Sequence, residues 1–185
     1  MPSRARPKGR EPPSVELLRL GHRAGRDPRL TTHLALVARA FGAPRMYLHP
    51  PDPAISERLE SVARRWGGTF EVLGVEDWKR TVREFDGLVV HLTMYGLPID
   101  RVAARLARSH RLLVVVGGAK VPPALYQLAG VNVAVGNQPQ SEVGAAAVFL
   151  DRVRGGVHAS DFAGAEQTIV PRARGKVVRT NRPRR

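Results

Sequence analysis

Residues 112–151 read LLVVVGGAKVPPALYQLAGVNVAVGNQPQSEVGAAAVFLD, and this stretch decides the fold. Two apolar runs rich in valine, 112–116 and 131–135, each end in glycine. Runs of this length and composition are typical of strands covered on both faces, as in a parallel sheet. In open α/β sheets, ligands bind beyond the carboxyl ends of the strands. The glycines and the amide side chains that follow them therefore predict a small-molecule site on these two loops.

The rest of the chain alternates short apolar strands with amphipathic helices. We predict earlier strands over 15–20, 45–49, 70–73 and 88–92, and helices over 32–41, 55–66, 76–85, 99–109, 122–129 and 141–153. Thr31 or Thr32 is the expected N-cap of the first helix, and 168–170 is a candidate edge strand. This alternation predicts an α/β fold, with a mostly parallel sheet and helices on both faces.

Positive charge is concentrated at the two ends of the chain. The 185 residues carry a formal net charge of +14. Residues 1–13 hold four basic and one acidic side chain, and residues 171–185 hold seven basic and none acidic. We therefore predict a disordered basic extension over 1–13, a single domain over 14–176 and a basic tail over 177–185. Flexible basic segments suit a phosphate backbone.

Several classes of protein are excluded by what the sequence lacks. It has no cysteine, and its six histidines show no metal-ligand spacing, so we expect no metal. We expect a cytoplasmic protein without a membrane span, because no apolar stretch approaches about 18 residues and the first residues lack a signal-peptide core. The GxxxxGK[ST], GxGxxG and GxSxG patterns are missing, which argues against a P-loop hydrolase, an ordinary dinucleotide fold and a serine hydrolase.

A basic cluster follows the first predicted strand. Arg23, Arg26 and Arg29 surround Asp27 in the loop before the first helix. Two interpretations stay open at this point. The cluster is either a solvated basic loop or a grip for phosphate or ribose beside the ligand site.

Six segments carry a resemblance to a known family, across residues 15–176. They are LRLGHRAGRDPRLTTHLALVARAFGA (18–43), RRWGG (64–68), VHLTMYGL (90–97), VGGAKVP (116–122), VGNQPQSEV (135–143) and VPRARGK (170–176). On these segments the chain resembles the archaeal tRNA cytidine 2′-O-methyltransferases of the SPOUT class. Residues 1–13 precede the family's usual start, and Gly118–Ala119 replaces the Ala–Glu pair expected there.

The resemblance implies a fold, a cofactor and an assembly. Members form a deep C-terminal trefoil knot, bind S-adenosyl-L-methionine in it and form homodimers. The last long helix contributes to the dimer, and a stripe of Val143, Ala146, Ala147 and Leu150 fits that role. By the same resemblance, the cofactor-binding residues are Leu92, Gly117, Gly118, Ala119, Lys120, Val121, Val135, Gly136, Asn137, Gln138, Pro139, Gln140, Ser141 and Glu142.

The implied reaction is methylation of the ribose 2′-hydroxyl of a T-loop cytidine, nucleotide 56 of tRNA. Related ribose methyltransferases carry an arginine in the first helix, where this chain has Leu36. Arg26 and Arg29 are therefore the candidate catalytic residues. A protonated guanidinium is a poor base, so we expect them to orient the 3′-phosphate and to assist electrostatically.

Two alternatives remain open on the sequence alone. One is an RNA-binding protein without catalytic activity, which the basic ends favour. The other is a methyltransferase of the same class that acts on a base or on another RNA position.

Overall fold

The computed structural model describes residues 11–118, 120–156 and 162–181. Six strands form one sheet in the order β3-β2-β1-β5-β4-β6, and all its pairs are parallel. The strands are β1 (Ser14–Leu20), β2 (Arg45–His49), β3 (Glu71–Gly74), β4 (Leu88–Pro98), β5 (Arg111–Gly117) and β6 (Val131–Ala134). The predicted α/β class with a mostly parallel sheet is confirmed. Most of the expected N-terminal extension, residues 1–10, lies outside the described residues.

Helices cover both faces of this sheet, as predicted. They are α1 (Pro28–Ala40), α2 (Pro53–Trp66), α3 (Trp78–Arg83), α4 (Ile99–Leu106), α5 (Pro123–Leu128) and α6 (Glu142–Arg154). Successive strand residues point to opposite faces, so Leu17 belongs to the core that includes side chains of α1, α2, α4 and α6, whereas Leu18 belongs to the core that includes side chains of α3 and α5. Burial of each such side chain stabilises the fold by about 1.5–3 kcal/mol.

The first helix begins earlier than predicted. Its N-cap position is Asp27 and Pro28 occupies the first turn, where proline has a suitable φ and needs no hydrogen-bond partner. Thr31 and Thr32, the predicted N-caps, therefore lie inside α1, and Thr32 Oγ1 donates to the Pro28 carbonyl at 2.7 Å. As a result Arg29 belongs to the first turn of α1 and not to the preceding loop.

The fourth strand continues beyond its predicted end at Leu92. It reaches Pro98, and its register against β6 shifts between Leu92 and Leu97. The intervening segment bulges from the ladder and returns at Gly96, where a Cβ would collide with the backbone of Val133. The loop predicted after the fourth strand is thus a bulge within β4, near the carboxyl end of that strand.

The C-terminal part forms a separate hairpin. β7 (Gln167–Val170) pairs antiparallel with β8 (Val177–Thr180) and not with the main sheet. The prediction of an edge strand at 168–170 was therefore wrong about its partner, although the strand exists. Residues 177–180, which we had assigned to the basic tail, are ordered strand, so the folded part extends past 176. The trefoil knot implied by the resemblance stays a prediction.

The apolar stripe of α6 faces inward. Ala146 and Leu150, two of the four residues expected at a dimer contact, are buried in this chain's own core, and Val143 packs against that core. The expectation is therefore wrong for Ala146 and Leu150, because an apolar helical stripe can face the core of its own subunit or a partner. Val148 is exposed elsewhere on the helix.

Candidate functional site

A cavity of about 390 Å³ lies at the carboxyl ends of β4, β5 and β6. It is lined by residues 91–95, 116–118, 121, 126, 133, 135, 138–142 and 145. Its size falls in the range of small-molecule and cofactor pockets, and its place is the one expected for an open parallel sheet.

Ten of the fourteen residues expected to bind a cofactor line this cavity. They are Leu92, Gly117, Gly118, Val121, Val135, Gln138, Pro139, Gln140, Ser141 and Glu142. Lys120, Gly136 and Asn137 do not line it, and Ala119 lies outside the described residues. The sequence analysis missed His91, Thr93, Met94, Tyr95, Val116, Tyr126, Val133 and Ala145. Thr93, Met94 and Tyr95 lie in the bulge of β4, whereas Tyr126 and Ala145 lie on helices and had no signal in the sequence.

The amide side chains after β6 mainly support the loop. Asn137 Nδ2 donates to the carbonyls of Met94 and Gly96, at 2.8 and 3.0 Å, and so ties this loop to the bulge of β4. Gln140 Nε2 donates to the Val135 carbonyl. Asn137 thus helps to shape the cavity, although it does not line it.

Three glycines in the loops around the cavity differ in their local conformation and surroundings. Gly136 has φ +80°, a left-handed conformation that other residues adopt only with strain. A Cβ on Gly117 would collide with the side chain of Val121, so this loop folds back on itself. At Gly118 a Cβ would meet Glu142 Oε1 only at 3.8 Å, so its backbone lies open beside that carboxylate.

An ion pair that the sequence did not predict lies beside the cavity. Arg19 on β1 is 1% exposed, and its Nη1 lies 2.6 Å from Glu142 Oε2 at the start of α6. Burial raises the pKa of Glu142, and the charge of Arg19 opposes that shift. The only signal available was a lone arginine within the otherwise apolar end of a strand, LLRL.

The same arginine reaches the loop after β1. Arg19 Nη2 lies 4.0 Å from Asp27 Oδ2, which also accepts from Arg23 Nε at 3.0 Å. The hydrogen bond from Arg23 holds the pKa of Asp27 below its usual value. Arg23, and not Arg29, is thus the arginine of this basic cluster that pairs with Asp27.

Arg26 and Arg29, the candidate catalytic residues, are exposed and do not line the cavity. Neither has an ion-pair partner among residues 11–118, 120–156 and 162–181. Their segment follows Leu20, which pairs with Gly117 in the sheet, so it begins at the same edge as the cavity. Their catalytic role stays a prediction.

Two buried histidines near this edge are held by polar partners. His22 bonds Thr31 Oγ1 through Nδ1 and Asp52 Oδ2 through Nε2, both at 2.9 Å. His91 Nδ1 lies 2.8 Å from Asn132 Oδ1, and burial lowers the pKa of His91. These contacts fix ring orientation. No group of acidic and histidine residues suited to a metal ion occurs in the part of the chain that the structure describes.

None of the helices in the described ranges is long and apolar enough to cross a membrane.

The chain matches the model of a known protein family. The family described as "tRNA ribose 2'-O-methyltransferase, aTrm56" matches residues 66–179. The chain is 50% identical over 164 residues to the tRNA (cytidine(56)-2′-O)-methyltransferase of Archaeoglobus fulgidus, covering 89% of this chain and 97% of that protein. It is 48% identical over 171 residues to the Pyrococcus abyssi protein of the same name, covering 89% and 86%.

Solved structures share the fold at low sequence identity. The TrmH/SpoU tRNA modifying enzyme of A. aeolicus matches with a TM-score of 0.60 at 12% identity, over 78% of this chain and 76% of that chain. The SpoU methyltransferase AviRb of Streptomyces viridochromogenes, solved in complex with AdoMet, matches with a TM-score of 0.56 at 15% identity, over 80% and 58%. These likenesses confirm the predicted fold class.

Proposed function

This chain belongs to the tRNA ribose 2′-O-methyltransferase family, and we propose that it methylates the ribose of cytidine 56 in the tRNA T-loop. The methyl donor is S-adenosyl-L-methionine. The observation that carries the proposal is the cavity at the carboxyl ends of β4, β5 and β6, in a chain that is 50% identical to a relative named for this reaction.

The cavity fits the proposed cofactor in size and in chemistry. Leu92, Val116, Val121 and Val135 give it apolar walls that suit an adenine ring. The open backbone at Gly118 and the carboxylate of Glu142 offer polar groups beside those walls. When bound, S-adenosyl-L-methionine supplies a methyl group on a positively charged sulfonium.

The protein's own residues must align two reactants for an in-line displacement. Loops that hold both partners in reacting geometry account for much of the rate of such reactions. We assign Arg26 and Arg29 to the phosphate beside the target ribose, because a guanidinium grips phosphate bidentately. The Arg19–Glu142 pair supports this alignment, since it joins the β1 strand end to a wall of the cavity.

We also propose that the enzyme acts as a homodimer on the T-arm of tRNA in the cytoplasm. Because the apolar stripe of α6 is buried in its own subunit, any contact through this helix must use its exposed residues, which include Gly144 and Val148. Sedimentation of the purified protein tests the dimer. A monomer at micromolar concentration would overturn it.

Methylation of unmodified tRNA with labelled cofactor tests the proposed function. Mass spectrometry of nuclease fragments should place the methyl group on the ribose of cytidine 56. Methylation of a base, or at another position, would favour a different enzyme of this class. Tight tRNA binding without cofactor binding by calorimetry would indicate a non-catalytic RNA-binding protein.

A further inference from the structure

The hairpin of β7 and β8 is firmly attached at its base. Gly68 N donates to the Ala163 carbonyl at 2.9 Å, and the guanidinium carbon of Arg39 lies 4.4 Å from the centre of the Phe162 ring. Asn181 Nδ2 closes the base by donating to the Ala165 carbonyl at 2.8 Å and to Thr168 Oγ1 at 2.9 Å. The orientation of the hairpin is therefore fixed by the body of the protein.

The far end of the hairpin is a basic, exposed turn. All six residues of the turn, 171–176, are exposed. Arg172, Arg174 and Lys176 alternate along it, Arg179 follows on β8, and residues 167–181 contain no acidic side chain. None of these four cations has an ion-pair partner among the described residues.

Core packing does not explain the hairpin. Ile169 is 62% exposed and Val177 is 36% exposed, so the strands bury little apolar surface. An isolated two-stranded ribbon is only marginally stable in water. A fixed, unpaired basic turn on such a ribbon is better suited to a polyanion than to structural support.

We propose that this turn binds the phosphate backbone of the substrate tRNA at a place away from the methylated nucleotide. The inference rests on the proposed function, which supplies an RNA as the partner. Three of the four cations are arginine, which contacts phosphate bidentately. The charge complementarity is with phosphate and not with bases, so the contact contributes affinity and not sequence specificity.

The position of the hairpin separates it from the cavity. Its base docks on Gly67 and Gly68, which lie shortly before β3. Glu71, the first residue of β3, pairs with Arg45, the first residue of β2, so this anchor lies at the amino ends of the strands. The cavity lies beyond the carboxyl ends of β4, β5 and β6. The base of the hairpin and the cavity thus lie at opposite ends of the strands, and we expect the turn to act on tRNA binding without touching the reacting atoms.

The variant Arg172→Gln/Arg174→Gln/Lys176→Gln tests the proposal in the full chain. A matched control, Lys79→Gln/Arg80→Gln/Arg83→Gln, removes three exposed cations from α3 on the opposite face of the sheet. Filter binding of unmodified tRNA to each protein with S-adenosylhomocysteine, over a range of NaCl concentrations, gives the affinity and its salt dependence. Sedimentation of each variant monitors its oligomeric state.

We expect the hairpin variant to bind tRNA roughly 10-fold to 100-fold more weakly, with a salt slope smaller by about 2. Its single-turnover rate at saturating tRNA and its cofactor affinity should match those of the wild type, and the control should keep the wild-type slope. An unchanged salt slope in the hairpin variant would overturn the proposal, and so would an equal loss of tRNA affinity in the control. Dissociation of a dimer in the hairpin variant would also overturn it. If the wild type neither binds nor methylates tRNA, the proposed function itself fails.

Discussion

Arg19 Nη1 and Glu142 Oε2 lie 2.6 Å apart, and their contact joins the end of β1 to the start of α6. Arg19 is almost completely buried, and its second carboxylate neighbour, Asp27, lies at 4.0 Å. One buried cation thus positions a wall of the cavity and also faces the segment that carries Arg26 and Arg29. The cofactor side and the substrate side of the proposed site share this residue.

A double-mutant cycle measures that coupling. Arg19→Met should lower the free energy of unfolding by about 3 kcal/mol, because it leaves carboxylates beside an apolar interior without their cation. Glu142→Gln should cost less, since burial already disfavours its ionised form. The double variant should be more stable than Arg19→Met alone. Urea unfolding at neutral pH gives the free energy of unfolding of the wild type, the two single variants and the double variant. If the loss in the double variant equals the sum of the two single losses, the pairing of Arg19 with Glu142 is contradicted.

Gly136→Val should abolish cofactor binding and leave the protein folded. Valine at φ +80° is strained by about 1–3 kcal/mol, and the loop between Val135 and Gln140 would have to move. Gly164→Val is the matched control, because it has φ +77° and open space around its Cβ, and it does not line the cavity. Calorimetric titration with S-adenosyl-L-methionine compares them. Near-normal affinity in Gly136→Val would remove this loop from the site.

Arg29→Ala should lower the single-turnover methylation rate by about 100-fold, because the protein would no longer hold the phosphate beside the target ribose in place. Arg26→Ala should have a weaker effect. Arg29→Lys should recover little, since an ammonium cannot bind phosphate bidentately. Melting temperature should not change, because Arg29 is exposed and the partner of Asp27 is Arg23. A normal rate in Arg29→Ala would exclude this residue from the mechanism.

Asp52 gives the protein a pH-dependent contribution to stability. Its hydrogen bond with His22 lowers the pKa of Asp52 in the folded state, so the ionised carboxylate stabilises the fold at neutral pH. That contribution is present above the ordinary pKa of an aspartate and is lost as the pH falls through the lowered pKa of the folded state. Asp52→Asn should therefore cost about 1 kcal/mol at pH 7, and this cost should shrink as the solution is acidified below about pH 4. Urea unfolding of the wild type and of Asp52→Asn at each pH measures this cost. A difference in stability between the two proteins that does not change with pH would contradict the assigned role of Asp52.

Much of the fold could be predicted because its signals are local. The buried valine and leucine runs of β1 and β5 identify a covered parallel sheet, and the glycines that end β5 and follow β6 indicate the cavity. The start of α1 also has a local signal, since an aspartate followed by proline, Asp27–Pro28, is typical of a helix start, whereas Thr31 and Thr32 lie inside the helix.

The remaining features depend on contacts between distant parts of the chain. Arg19 finds Glu142 only once the sheet has formed, and Asn137 fixes the bulge of β4 from another loop. The stripe on α6 has the same pattern whether it faces its own core or a partner. No local pattern distinguishes these outcomes.

The most direct measurement compares two tRNA substrates that differ only at nucleotide 56, one with cytidine and one with 2′-deoxycytidine. The account predicts one methyl group per cytidine-containing tRNA, on the ribose of nucleotide 56, and none on the deoxy substrate, because the accepting hydroxyl is missing. Equal methyl incorporation into both substrates, or a methyl group that maps to a base, would contradict it.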